Sequence, residues 1–179
     1  MSTSTHEEQL YRVFSNVNDW LKFAEAKNAM IIAFNSASIY GITQLFNLDF
    51  IKRSDQIINY LIIVIILLVF STIFSLISFA PRVKIIKGGW YAPVDAPNVL
   101  FFEYLKTKTN EEIINEITGI SDFKTYTTIE KDIAEQIKQN SIIASRKYSY
   151  FTIAVWLTVA AYITIPLAGI FCLYTFLSK

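Results

Sequence analysis

The residues of this chain that could do chemistry are few, and none stands at a spacing that a reaction requires. Glu111, Glu112 and Glu116 share one short segment. Acid–base work by paired carboxylates needs environments that push their pKa values apart, and a Glu-rich helix in water supplies none, so a solvated face is the plainer reading. Gly88-Gly89 could offer backbone N–H groups to a phosphate, and Trp90 and Tyr91 beside it could stack on a base. The structural alternatives are a flexible exit from a membrane segment and a pair of interfacial aromatic anchors. Arg146 and Lys147 could grip a ligand phosphate, or they are charges held on the cytosolic side of a membrane helix. No phosphate loop, GxSxG, HExxH or GxGxxG motif occurs in the sequence. The single cysteine, Cys172, has no partner for a disulfide, and the single histidine, His6, completes no metal-ligand spacing. No enzymatic activity, catalytic residue, metal or cofactor is expected.

The elements that would hold such residues are membrane helices. Of 179 residues, 53% are hydrophobic and 15% aromatic, with a mean hydropathy of +0.39, a balance seldom met in a soluble domain. The net charge of +1 does not suit nucleic acid, which wants a clustered basic excess. The first thirty residues carry Glu7, Glu8, Asp19 and Glu25, so no cleavable signal peptide is expected. Three stretches are long enough to cross a bilayer. Residues 30–48 form the weakest, with Asn35, Ser36, Ser38, Thr43, Gln44 and Gly41. Residues 57–80 are apolar throughout and stop at Pro81, and residues 150–177 read as one long helix, kinked near Pro166 and Gly169. Arg12, Lys22 and Lys27 precede the first span; Arg82, Lys84 and Lys87 follow the second; Lys138, Arg146 and Lys147 precede the third. Basic residues gather in cytosolic loops. The expected topology therefore places the N-terminal segment 1–29 and the insert 81–149 in the cytosol, with 49–56 as an extracytoplasmic loop.

Residues 1–29 carry a stripe of Leu10, Val13, Phe14, Val17, Trp20, Leu21 and Ala24 at spacings of three and four. Its opposite face mixes both signs of charge, which favours packing on another helix over lying on anionic lipid. Nothing breaks the chain between this helix and the first span. In the insert, Asn98 is a candidate cap for a short helix over NVLFFEYLK, and Thr109 to Glu112 match a capping box for a second that ends near Gly119. From about Asp122, Ile129, Ile133 and Ile137 recur at four-residue steps, and the helix they imply runs on into the third span. The fold class expected is an all-α membrane protein with three transmembrane helices, an amphipathic N-terminal helix and a helical cytosolic insert between spans two and three. Asn35 and Gln44 are nine positions apart and roughly opposite on the first span, which suits a helix surrounded by protein and hence a homo-oligomer.

The order of three blocks is similar to the transmembrane Pycsar effector family. WLKFAEAKNA before the first span resembles the family's pre-membrane motif, a Trp followed by an acidic residue and Lys. APNVLFFEYL, with Asn98, Phe101 and Phe102, and EKDIAEQIKQNSIIASRKYSYF, which leads into the last span, resemble its later blocks. The resemblance covers the chain from about Leu10 to the last span. It implies a bacterial antiphage effector in the inner membrane, paired with a pyrimidine nucleotide cyclase. Cyclic CMP or cyclic UMP would be the activating ligand, and loss of bilayer integrity the outcome that arrests or kills the infected cell. The family motif places Trp20, Glu25 and Lys27 at the cytosolic neck and Asn98 at the start of a cytosolic helix. These residues either touch nucleotide or hold the neck together, with Glu25 and Lys27 paired to charges on the insert. Trp20, Glu25, Lys27, Trp90, Asn98, Arg146 and Lys147 are the candidate ligand-binding residues. Two readings from other classes remain beside it: a structural or partner subunit of a membrane complex, and a pore-forming toxin that needs no messenger.

Overall fold

The computed structural model describes residues 3–52, 54–80, 98–120 and 126–177, and every element in them is an α-helix. Two long helices dominate, α1 (Thr3–Leu45) and α6 (Thr128–Leu177). Between them lie α2 (Asp49–Lys52), α3 (Asp55–Ile77), α4 (Phe102–Leu105) and α5 (Asn110–Thr118). The chain forms two compact units, Met1–Ala26 with Lys84–Ser149, and Lys27–Val83 with Tyr150–Lys179. Both α1 and α6 supply residues to each unit with no break in the helix.

In the first unit the α1 stripe is core. Leu10, Val13 and Val17 pack with Leu105, Ile113, Ile114, Ile133 and Ile137, so this face of the N-terminal helix meets protein. Ile133 and Ile137 are buried but Ile129, one turn earlier, is half exposed. Short polar clamps set the register between helices. The Asn140 amide donates to Asn18 Oδ1 at 2.7 Å, and the Asn110 amide to Glu135 Oε2 at 2.7 Å.

The caps explain where the helices begin. At α5 the Thr109 hydroxyl accepts from Glu112 N–H at 3.2 Å and the Glu112 carboxylate from Thr109 N–H at 2.7 Å, completing the expected capping box. Gly119 ends the helix in the left-handed region, φ +75°, where a side chain would be strained. A second box starts α6: Glu130 N–H donates to Thr127 Oγ1 at 3.1 Å, and Thr127 N–H to Glu130 Oε2 at 2.7 Å. The helix therefore starts after Thr127; the expected start near Asp122 falls outside the described residues. Asn98 does not cap α4. Its side chain accepts from Leu100 N–H at 3.0 Å in a local turn, and Phe101 stands at the N-cap.

Two helices among the described residues are long and apolar enough to cross a membrane: α3, and α6 over Thr128–Pro166. The expected first span is helical only to Leu45, with turns over 46–48, and its polar residues keep it from being as apolar as the other two. Asn35 and Gln44 differ in environment. Asn35 is fully buried and donates to Ser71 Oγ at 2.8 Å, whereas Gln44 is exposed. Asn35 thus finds its partners within the chain, and the amide pair does not by itself call for a second copy.

Replacing Thr109 with Ala removes half of the α5 box and is expected to cost about 1 kcal/mol, read as a lower unfolding midpoint of the full chain in detergent. The Thr109 N–H and hydroxyl also hold the Glu112 carboxyl below its ordinary value of 4.5. A depressed pKa stabilises the fold above the unfolded value and loses that contribution as pH falls through the folded one. Stability should therefore decline on the acid side of pH 4.5, less steeply in Glu112→Gln.

Candidate functional site

The first unit gathers most of the residues singled out by sequence, around an aromatic cluster. α1 carries Trp20 on the same stripe as Val17 and Ala24, one turn before and after it. The N-cap and first residue of α4 supply Phe101 and Phe102, and α6 supplies Tyr148. The Trp20 ring lies 6.2 Å from Phe101, 5.7 Å from Phe102 and 6.2 Å from Tyr148, in edge or tilted geometry. Phe102 and Tyr148 stack at 5.1 Å with 11° between their planes. Such pairs add to area burial and fix ring orientation. Phe102 is buried, whereas Trp20 is half-buried and also lines a shallow cleft of about 390 Å³ with Asn16, Asp19 and Phe23.

Charge surrounds this cluster in defined pairs. Glu25 meets Lys147 at 3.1 Å, with the lysine side chain largely buried and the carboxylate partly exposed. Glu103 is buried and pairs with Lys106, whose ammonium also donates to Ser145 Oγ at 2.9 Å. Glu103 Oε1 has no hydrogen-bond partner among the described residues, an unusual state for a buried carboxylate oxygen. On the surface nearby, Lys108 meets Glu116 at 2.9 Å and lies over the Tyr104 ring, and the carboxylate and phenol raise the lysine pKa.

The structure pairs Glu25 with Lys147 and packs Trp20 on Tyr148, the next residue of α6, and Arg146 on the same helix is half-buried. Lys27 belongs to the second unit, where its ammonium lies 5.3 Å from the Phe151 ring centroid. Of the two partners expected to pair with the insert, Glu25 does so. Asn98 is exposed in its turn, and Leu100 next to it accepts from the Asn16 amide at 2.6 Å. Trp90 and the Gly88-Gly89 pair lie outside the described residues. Glu103, Lys106, Ser145 and Tyr148 were missed by sequence reasoning. A carboxylate inside FFEYL, flanked by aromatics on both sides, was the available signal for Glu103.

The aromatic cluster and the ion pair should differ in weight. Trp20→Ala is expected to destabilise the chain by about 3 kcal/mol or more, because it leaves a cavity among Phe101, Phe102 and Tyr148. Glu25→Gln is expected to cost below about 1 kcal/mol, since its carboxylate is partly in water. Thermal unfolding of the full chain in detergent reads both, and equal costs would remove the cluster as the organising feature.

No curated protein and no solved structure matches the chain. The family described as the Pycsar effector protein domain (PycTM) matches residues 9–174, which is most of its length. The chain therefore belongs to the Pycsar effector family and takes a Pycsar effector's part in antiphage defence.

Proposed function

We propose that the protein is a non-enzymatic, oligomeric effector of the bacterial inner membrane, activated by cyclic CMP or cyclic UMP to breach the bilayer of an infected cell. In this reading the helix beyond Lys27 makes a first crossing, α3 a second and α6 beyond Tyr150 a third. The first unit lies in the cytosol, as the distribution of Lys and Arg favours. A pyrimidine nucleotide cyclase supplies the messenger. The observation that carries the reading is helix continuity: α1 holds Trp20 and Glu25 in one unit and runs on as a helix of the other, and α6 does the same with Lys147.

The messenger would meet the half-buried face of Trp20, a flat apolar surface suited to a pyrimidine ring. Arg146 and Lys147 would supply the cations that answer its phosphate, with Glu25, Lys27, Asn98 and Trp90 as further candidate contacts. A preference of about 3 kcal/mol for one arrangement of the helices changes the ratio of the two states more than a hundredfold. Rigid helices would carry that preference into the membrane unit without a separate hinge.

The test uses cells that express the effector with its cognate cyclase, read by a potential-sensitive dye. Depolarisation is expected only when both are present. Replacing Ala26 and Lys27 with a Gly pair should abolish depolarisation while calorimetry of the detergent-solubilised chain still records nucleotide binding. Unchanged polarisation with the cyclase active would leave the partner-subunit reading, and depolarisation without any cyclase would leave the messenger-free toxin. Depolarisation that survives the Gly pair with binding intact would rule out coupling through the helix.

A further inference from the structure

The buried face of α3 changes character halfway along. Leu61, Val64, Leu68, Ser71 and Ser75 are its buried residues, at steps of three, four, three and four, so they form one line down the helix. The first three are aliphatic and pack with Ile42 of α1 and Ala161 of α6. The last two are hydroxyls, both 0% exposed. At Ser71 polar groups of three helices meet. The Asn35 amide of α1 donates to Ser71 Oγ at 2.8 Å, and Ser71 Oγ lies 2.7 Å from Ala154 O and 2.8 Å from Thr158 Oγ1 on α6. Thr158 Oγ1 in turn lies 3.1 Å from Asn35 Oδ1 and 3.0 Å from Ala154 O.

Two hydroxyl protons thus face more acceptors than they can serve at once, and the ring can close in more than one way. If the ring were only a clasp between helices, the polar line would end at Ser71. It continues one turn to Ser75, whose fully buried Oγ has no hydrogen-bond partner among the described residues. A buried hydroxyl left so is a place for water, given polar neighbours along the same line. No side chain named on this line, from Leu61 to Ser75 on α3 or in the ring, carries a charge.

We propose that this hydroxyl–amide seam is the path by which the membrane unit passes water and small monovalent ions, and that the aliphatic layer of Ile42, Leu61, Val64, Leu68 and Ala161 is its gate. The proposal rests on the reading of the chain as a membrane effector and adds where the breach occurs. Apolar constrictions block ions by excluding water, and admit them when widened or made polar. Separating the helices strips Asn35, Ser71 and Thr158 of one another, and water replaces the lost bonds. The lining offers neutral oxygens and amide groups, so passage is limited by size rather than by a fixed charge.

The experiment uses the purified full chain in potassium-loaded liposomes with no nucleotide present. Val64→Thr and Leu68→Asn, both close to the native shape, should each speed potassium efflux at least about tenfold over the unsubstituted protein. Val69→Thr makes the same change on the outer face of α3, where Val69 is 40% exposed, and should leave efflux unaltered. In a Cys172→Ser background, Ser75→Cys combined with Val64→Thr should leak until a small thiol reagent plugs it. Tight liposomes from both gate variants, with native helix content by circular dichroism, would overturn the proposal. So would equal leakage from Val69→Thr, or efflux indifferent to modification at position 75. If a gate variant loses its helix content, the milder Leu68→Thr takes its place in the same messenger-free liposomes, where faster efflux is expected and tight liposomes overturn the path. Because the liposomes contain no messenger, failure here leaves nucleotide activation standing, and failure of activation leaves the path standing.

Discussion

An amide with nowhere to go but another helix organises the membrane unit. Asn35 is fully buried, and its side chain is answered by Ser71 of α3 and Thr158 of α6. A buried polar group without a partner costs about 1–3 kcal/mol, so the three helices are held at the register that closes this ring. Each bond taken singly contributes modestly, on the order of 0.6 kcal/mol in membrane proteins. The constraint comes from the alternative: any slide of one helix leaves the amide bare. The apolar layer beside the ring then packs at the same register without further specification, as Leu61, Val64 and Leu68 fall on the same line of α3.

A second organising feature is the stripe along α1, which serves both units. Its first part buries Leu10, Val13, Val17 and Ala24 against the helices of the first unit, and its later part buries Asn28, Asn35 and Ile42 in the second. The change from hydrocarbon to amide and back along one face suits a helix whose two ends have different jobs. In the first unit the stripe is clamped by rings, Trp20 among Phe101, Phe102 and Tyr148. In the second it is clamped by hydrogen bonds.

Much of this was legible before any coordinates, wherever a local rule decides. The α1 stripe, the Thr109–Glu112 box, the Gly119 stop and the unbroken run into the last apolar stretch each depend on residues within a few positions of one another. Thr127 and Glu130 obey the same box rule, while the period of the isoleucines alone does not mark where the helix starts. Asn98 was misassigned because a turn and a cap favour the same residue types. Of the candidate residues, the Glu25–Lys147 pair and the packing of Trp20 on Phe101, Phe102 and Tyr148 are set by tertiary packing rather than by spacing, so sequence could name the residues but not their neighbours. The fates of Asn35 and Gln44 could not be read, since helical angle says that two residues oppose each other and not which of them meets a neighbour. Ser71 and Ser75 were passed over because a strongly apolar span hides its own polar line.

In the proposed reading a cyclic pyrimidine nucleotide acts on the unit that holds Trp20 and opens a membrane through α1 and α6. The decisive experiment adds cyclic CMP, cyclic UMP and their linear monophosphates in turn to potassium-loaded liposomes carrying the unsubstituted protein. Efflux is expected to begin on addition of one cyclic pyrimidine nucleotide and not with its linear form. Efflux that is the same with and without nucleotide, or absent under every addition, would contradict that reading.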